Sequence, residues 1–251
     1  MAETPVALIT GGARRIGAAI TQALAAQGYA VVIHCNASQR DGEWLAKQLN
    51  QSGGKAAVVT ADLADADQVA GLMAKAAKPF GPVSLLVNNA ALFLVDTLQT
   101  LDVATWNRQF SVNLRAPSVL ARDMAANLPV HRQGAIVNII DQRVWKLTPE
   151  YYSYTLTKAA LWAATRTMAQ TLAPRIRVNA VGPGPTLGSL HDGDAGLAHE
   201  VAGTPLRRQI DPGDIAAAVV YLAQADGVTG QMIAVDGGQH IGWQTPDIVS
   251  G

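Results

Sequence analysis

The feature that most restricts how this chain can fold is a repeated alternation of short, continuously apolar runs with Ala-rich helical patterns. VALIT (6–10), AVVIH (30–34), AAVVT (56–60), VSLLVN (83–88), AIVNII (135–140), IRVNAV (176–181) and MIAVD (232–236) read as strands. Each is mostly apolar at consecutive positions rather than at every second one, the pattern of a strand covered on both faces. Helical patterns occupy 16–27, 41–51, 66–77, 102–127, 151–173 and 213–223, the last opening on the start signal Asp211–Pro212. Alternation sustained over the whole chain predicts right-handed crossovers and an α/β fold. The expected form is a Rossmann-like, doubly wound parallel sheet of about seven strands with helices on both faces.

Composition narrows the class. The chain has 251 residues, 49% of them hydrophobic, enough to bury one large core, so a single domain over 1–251 is expected. Nineteen Lys and Arg balance nineteen Asp and Glu, which excludes the basic footprint of a nucleic-acid-binding protein. No run approaches 18 consecutive apolar residues, so no membrane span is expected. MAETPVALIT has no basic segment leading into a long apolar stretch, so no signal peptide is expected either. The lone Cys35 permits no internal disulfide and suits a reducing cytoplasm, the expected location. No metal site is expected. Residues 182–209, rich in Gly, Pro and Asp, break the periodic pattern after the sixth strand. A connection this long is read either as a substrate loop over the carboxyl edge of the sheet or as a plain surface excursion.

The first strand runs into TGGARRIG, a glycine turn opening a helix, where backbone N–H groups and the helix N-terminus can meet a pyrophosphate. Gly11 and Gly17 serve the turn and the close helix packing, but position 15, where a third glycine is expected, is Arg. The second strand ends in His34, Cys35, Asn36, Ala37 and Ser38, with no acidic residue before Asp41. An acid there would hold a ribose 2′-hydroxyl. Its absence, with Arg14, Asn36, Ser38 and Arg40 nearby, favours a 2′-phosphate and therefore NADPH. Asp62 after the third strand can accept from an adenine amino group, and VNNAA (87–91) ends the fourth strand with small and amide side chains.

Tyr154 and Lys158 lie one helical turn apart, and a cation at that spacing is expected to favour phenolate and move the phenol pKa toward neutrality. Thirteen residues earlier, the apolar run AIVNII stops at the carboxylate of Asp141.

With TGGARRIG, NNA, Asn113, YSYTLTK and VGPGPT in this order, the chain resembles the short-chain dehydrogenase/reductase family over essentially its whole length. The resemblance implies that Tyr154 protonates substrate, that Lys158 binds the nicotinamide ribose, and that Asn113 supports a proton-relay water. It also implies cofactor contacts from Gly11, Arg14, Arg15, Ile16, Gly17, His34, Asn36, Ser38, Asp62, Leu63, Asn89, Ala90, Ala91, Pro183, Gly184 and Thr186, besides Tyr154 and Lys158. Pro183 to Thr186 are expected to close over the nicotinamide carboxamide. Assembly as a homotetramer or homodimer through helices 102–127 and 151–173 is implied too.

Asp141 departs from the Ser or Thr of members acting on alcohols and ketones. An ionised carboxylate has no proton to donate and repels a developing oxyanion, so it points to C=N rather than C=O reduction. A carboxyl in an apolar pocket can hold a raised pKa and act as an acid. Asp141, Arg15 and Phe93 in NNAALF resemble a narrower branch, the pteridine and dihydromonapterin reductases. In that branch Arg15, Phe93, Asp141, Tyr151, Tyr154 and Gly184 would meet a pterin, with Phe93 stacking it against the nicotinamide. Ala91 and Ala37 differ from the Ser and Arg of the protozoan members. The expected activity is NADPH-dependent reduction of a dihydropterin of the dihydrobiopterin, dihydromonapterin or dihydrofolate type. The alternatives are a carbonyl reductase, such as one acting on 3-oxoacyl thioesters, and a non-catalytic NADP(H)-binding sensor.

Overall fold

The computed structural model describes residues 4–188 and 193–243. Seven strands, β1 (Val6–Thr10), β2 (Ala30–Cys35), β3 (Lys55–Thr60), β4 (Leu85–Asn88), β5 (Gly134–Ile139), β6 (Ile176–Pro183) and β7 (Met232–Val235), form one sheet in the order β3-β2-β1-β4-β5-β6-β7. Every adjacent pair is parallel, for example Leu8 opposite Val32 on one side and Leu86 on the other. The helices between them are α1 (Arg15–Ala26), α2 (Gln39–Gln51), α3 (Ala66–Ala77), α4 (Val103–Phe110), α5 (Ala116–Asn127), α6 (Tyr152–Leu172), α7 (Gly193–Ala202) and α8 (Pro212–Gln224).

Why the strands are apolar at every position is visible in β1. Ala7 and Ile9 join a cluster with Ile20 and Leu24 of α1, Leu45 of α2 and Val219 of α8. Val6 and Leu8 point the other way, into a cluster with Leu72 of α3, Leu120 of α5 and Ala169 of α6. Side chains alternate across a strand, so two helical layers demand apolar residues at consecutive positions. Truncating a fully buried side chain such as Leu8 to Ala would cost about 2–5 kcal/mol.

Two elements differ from expectation. The helix over 102–127 is α4 and α5 joined by a π-helical turn, Ser111–Arg115. Pro117 in the first turn of α5 supplies the reason: it has no N–H for the Asn113 carbonyl and its ring would crowd that carbonyl in an α-helix. The second difference is α7, inside the stretch read as irregular. Its sequence, GDAGLAHEVA, has glycines at two of its first four positions and no buried residue among its ten. A helix with no fully buried residue leaves only a weak periodic signal to read. By contrast α8 starts where Asp211 and Pro212 indicated, with Asp211 and Asp214 forming a reciprocal capping box.

Strand order reverses at β1, since the chain passes to β2 and β3 on one side and then to β4 on the other. The carboxyl ends of β1 and β4 therefore splay a crevice, the place where open α/β sheets bind ligands.

Candidate active site

The crevice is built by two sequence motifs holding each other. Thr10, at the end of β1, accepts hydrogen bonds through Oγ1 from the backbone N–H of Asn89 (2.9 Å) and Ala90 (3.0 Å). Asn89 returns its amide to the carbonyls of Thr10 (2.9 Å) and Gly11 (3.1 Å). Gly11 has φ +61°, and a Cβ on Gly17 would lie 2.1 Å from the Gly11 carbonyl oxygen, so the turn and α1 can approach this closely only with glycine at 17. Arg15 has φ +52°, the left-handed conformation a glycine would take, so the substitution noted at this position carries backbone strain of about 1–3 kcal/mol. Its guanidinium donates to the carbonyls of Leu187 (3.3 Å) and Gly188 (3.1 Å), tying the glycine turn to the segment after β6.

One cleft, about 530 Å³, is lined by Gly11, Arg14, Arg15, Ile16, Gly17, His34, Asn36, Ala37, Ser38, Asp62, Leu63, Asn89, Ala90 and Ala91. Its residues suit a dinucleotide. The N-terminus of α1 has no side-chain cap and no acidic residue in its first turn, whereas α3, α4 and α8 are each capped by an Asp. Those α1 N–H groups stay available to an anion. Two residues are engaged differently from the simplest expectation. Arg14 forms an ion pair with Asp41 of α2, Nε to Oδ2 2.6 Å, beside the exposed Asn36. His34 is buried with both ring nitrogens engaged, Nδ1 accepting from Gly11 N–H (3.2 Å) and Nε2 facing the Ala61 carbonyl (3.1 Å). Burial drives its pKa down to about 4, so it braces the turn as a neutral ring rather than offering charge to a phosphate.

The adjoining cavity, about 220 Å³, is lined by Arg15, Phe93, Asp141, Tyr154, Lys158, Pro183, Gly184 and Thr186 from the predicted set. At its floor Tyr154 donates its hydroxyl to Asp141 Oδ2 at 3.0 Å. The other carboxylate oxygen, Oδ1, accepts from Arg143 N–H at 2.8 Å and caps the short 3-10 turn Gln142–Val144. Although Asp141 keeps a partly open face toward the cavity, burial pushes its carboxyl pKa up, against the opposing effects of Arg143, Tyr154 and Lys158. Tyr154 overturns the expectation of a phenol drawn toward neutrality. Burial, then the Asp141 charge and hydrogen bond, hold its pKa well above the usual value. Lys158, one turn away, is itself depressed to about 8 by burial and donates to the Ile139 carbonyl at 2.8 Å. The carboxylate outweighs the more distant ammonium, and the tyrosine stays protonated.

Asn113 lines neither cavity. Its side chain is fully used, accepting from Leu92 N–H (2.8 Å) and donating to the Leu92 carbonyl (2.9 Å) and Thr157 Oγ1 (3.0 Å). What the π turn leaves without an α-helical partner is its main-chain carbonyl.

Phe93 lies face to face with Tyr151, centroids 4.1 Å apart and planes within 6°, and edge-on to Tyr154 at 4.6 Å. Tyr151 thus backs Phe93 instead of lining the cavity. It holds φ +54° at the start of α6. Sequence reasoning missed Asp96, buried against that helix start, whose carboxylate accepts from the Ser153 N–H (3.0 Å) and hydroxyl. It also missed Arg143, whose guanidinium lies 5.0 Å from the Tyr151 ring centre. A carboxylate three residues beyond NNAALF and the arginine beside a misfit Asp141 were the available signals. His240 bonds Asp236 at 2.7 Å and Trp243 is exposed, and neither lines the cavity. Among the described residues no group of His, Cys, Asp and Glu could hold a metal ion, and no helix is long and apolar enough to cross a membrane.

The chain belongs to the short-chain dehydrogenase/reductase family of oxidoreductases. A family model described as enoyl-(acyl carrier protein) reductase matches residues 11–240. A short-chain type dehydrogenase/reductase of Picea abies is 34% identical, covering 93% of this chain and 92% of that one. The 3-oxoacyl-[acyl-carrier-protein] reductase of Staphylococcus aureus is 31% identical, covering 96% of this chain and all of that one (100%). Among solved structures, FolM alternative dihydrofolate reductase 1 from Brucella canis, complexed with NADP, superposes with a TM-score of 0.94. It is 52% identical, and the match covers 98% of this chain and 97% of that one.

Proposed function

We propose that this protein is an NADPH-dependent pteridine reductase that converts a dihydropterin to the tetrahydro form at a C=N bond. The observation that carries the reading is the Tyr154–Asp141 hydrogen bond, 3.0 Å, at the floor of a cavity that also holds Arg15 and Phe93. The 52% identity to an alternative dihydrofolate reductase crystallised with NADP supports it.

Bound NADPH supplies the hydride. The uncapped N-terminus of α1 and Arg14 would hold its phosphates. Lys158 would hold the nicotinamide ribose, with Pro183, Gly184 and Thr186 available to flank the ring. The exposed side of Phe93 supports the flat pterin, with Tyr151 stacked behind it as a brace. Tyr154 gives its proton to the ring nitrogen as hydride reaches carbon, and is reprotonated through Asp141, whose carboxyl is held by burial above the usual carboxylate range. Solvent restores that proton after turnover. A ketone would instead develop an oxyanion beside Asp141, whose carboxylate repels it once the proton has passed to Tyr154. Cytoplasmic location and assembly into a homotetramer or homodimer belong to the same proposal.

Asp141→Asn keeps the shape and the Tyr154 contact but cannot supply a proton. The expected result is kcat lower by about 10²–10⁴-fold, with NADPH affinity by fluorescence titration close to wild type. Retention of kcat would remove the acid role from Asp141. The similarity to a 3-oxoacyl reductase favours a second reading, thioester carbonyl reduction, in which Asp141→Ser would raise rather than abolish turnover.

A further inference from the structure

Of the charged side chains around the cavity, Arg143 and Glu200 have no part in the mechanism above. Arg143 follows Asp141 by two residues and is mostly buried, its side chain 13% exposed. Five contacts converge on it. Its backbone N–H holds Asp141 Oδ1 at 2.8 Å. Its guanidinium donates to Thr148 Oγ1 at 3.1 Å and lies over the rings of Tyr151 (5.0 Å) and Phe93 (5.9 Å). It also forms an ion pair with Glu200 of α7 at 3.5 Å.

The last contact spans two parts of the molecule with very different anchorage. The turn carrying Asp141 is fixed to β5 and to α6, whereas α7 has no buried residue. Gly196, Leu197 and Glu200 of α7 nevertheless line the substrate cavity, so the helix closes one wall of it. A helix with no fully buried residue leans on polar ties, and Arg15 fastens the segment at its other end, at Leu187 and Gly188. A planar guanidinium stacked on aromatic rings is pre-organised for this bridge in a way a lysine is not.

We propose that Arg143 is a positioning residue that latches the lid helix α7, through Glu200, to the aromatic platform and to the turn bearing Asp141. Closure of the lid over substrate and the setting of the acid pair then share one side chain. The charge of Arg143 also acts on that pair. The groups facing Asp141 are Arg143, Tyr154 and Lys158, and Arg143 opposes the effect of burial on both Asp141 and Tyr154. Loss of its charge therefore raises both, and the pair keeps its proton to higher pH. Loss of Glu200 is expected to release the lid while leaving Arg143 beside the pair.

The proposal rests on the pterin reading only for the substrate used in kinetics, and a second readout is independent of it. Hydrogen–deuterium exchange of residues 193–202 in the NADP-bound protein should quicken about 5-fold in both Arg143→Met and Glu200→Gln, the size of one ion pair. With dihydropterin, both variants should raise KM about 5-fold, but only Arg143→Met should move the alkaline limb of kcat to higher pH. Arg143→Lys should return that limb to its wild-type position while KM stays high. Unchanged α7 exchange in both variants, or a limb that moves equally in Arg143→Met and Arg143→Lys, would overturn the latch. Failure of wild type to turn over any dihydropterin would instead strike the pterin reading, and the exchange data would still decide the latch.

Discussion

At the scale of single residues, Asp141 is where sequence and structure agree on what matters and differ on how it works. Its place was legible because a carboxylate ending a buried apolar strand is costly and needs a reason. Its effect on Tyr154 was not legible. Spacing in a helix fixes the Tyr154–Lys158 pair, but only three-dimensional packing puts Asp141 closer to the phenol than the ammonium is, reversing the expected direction of the shift. The raised carboxyl also has a thermodynamic consequence. A carboxyl whose folded pKa lies above its unfolded value favours the fold at low pH, and that contribution is lost as pH rises through the folded pKa. Asp141→Asn has no such loss. Thermal melts should therefore find the variant more stable than wild type at pH 8, with the gap shrinking toward pH 4. A gap that is constant with pH would mean that the carboxyl is not destabilised by burial.

At the scale of elements, legibility follows packing. The strands and the helices that bury a face were readable, since periodicity records burial. α7 buries no residue fully and left little pattern, and the π turn at Ser111–Arg115 depends on a proline two positions beyond it. Asp96 escaped notice for a related reason: its partner is the start of α6, 57 residues away. The glycine turn was readable because its demands are steric and local. Gly17→Ala should show it, since the added Cβ meets a backbone carbonyl that cannot move aside. The expected cost is about 3 kcal/mol of stability with loss of NADPH binding, while far-UV circular dichroism at low temperature keeps its α/β form. NADPH affinity equal to wild type would mean that the turn has room the geometry denies it.

At the scale of the whole molecule, the reversal of strand order at β1 gathers residues from six loops, 11–15 through 183–188, onto one edge of the sheet. That gathering made the candidate site largely predictable from motif order. Arg143 was the exception, visible only once the lid helix and the aromatic platform were in place. The same edge serves ketone and imine reduction alike across a family this broad, so the account turns on one carboxylate. The most direct measurement is the initial rate of NADPH oxidation, followed by absorbance, with a 7,8-dihydropterin and with an acetoacetyl thioester under identical conditions. Rapid oxidation with the dihydropterin and none above background with the thioester is the result expected. Turnover of the thioester alone would contradict the assignment of Asp141 to C=N chemistry.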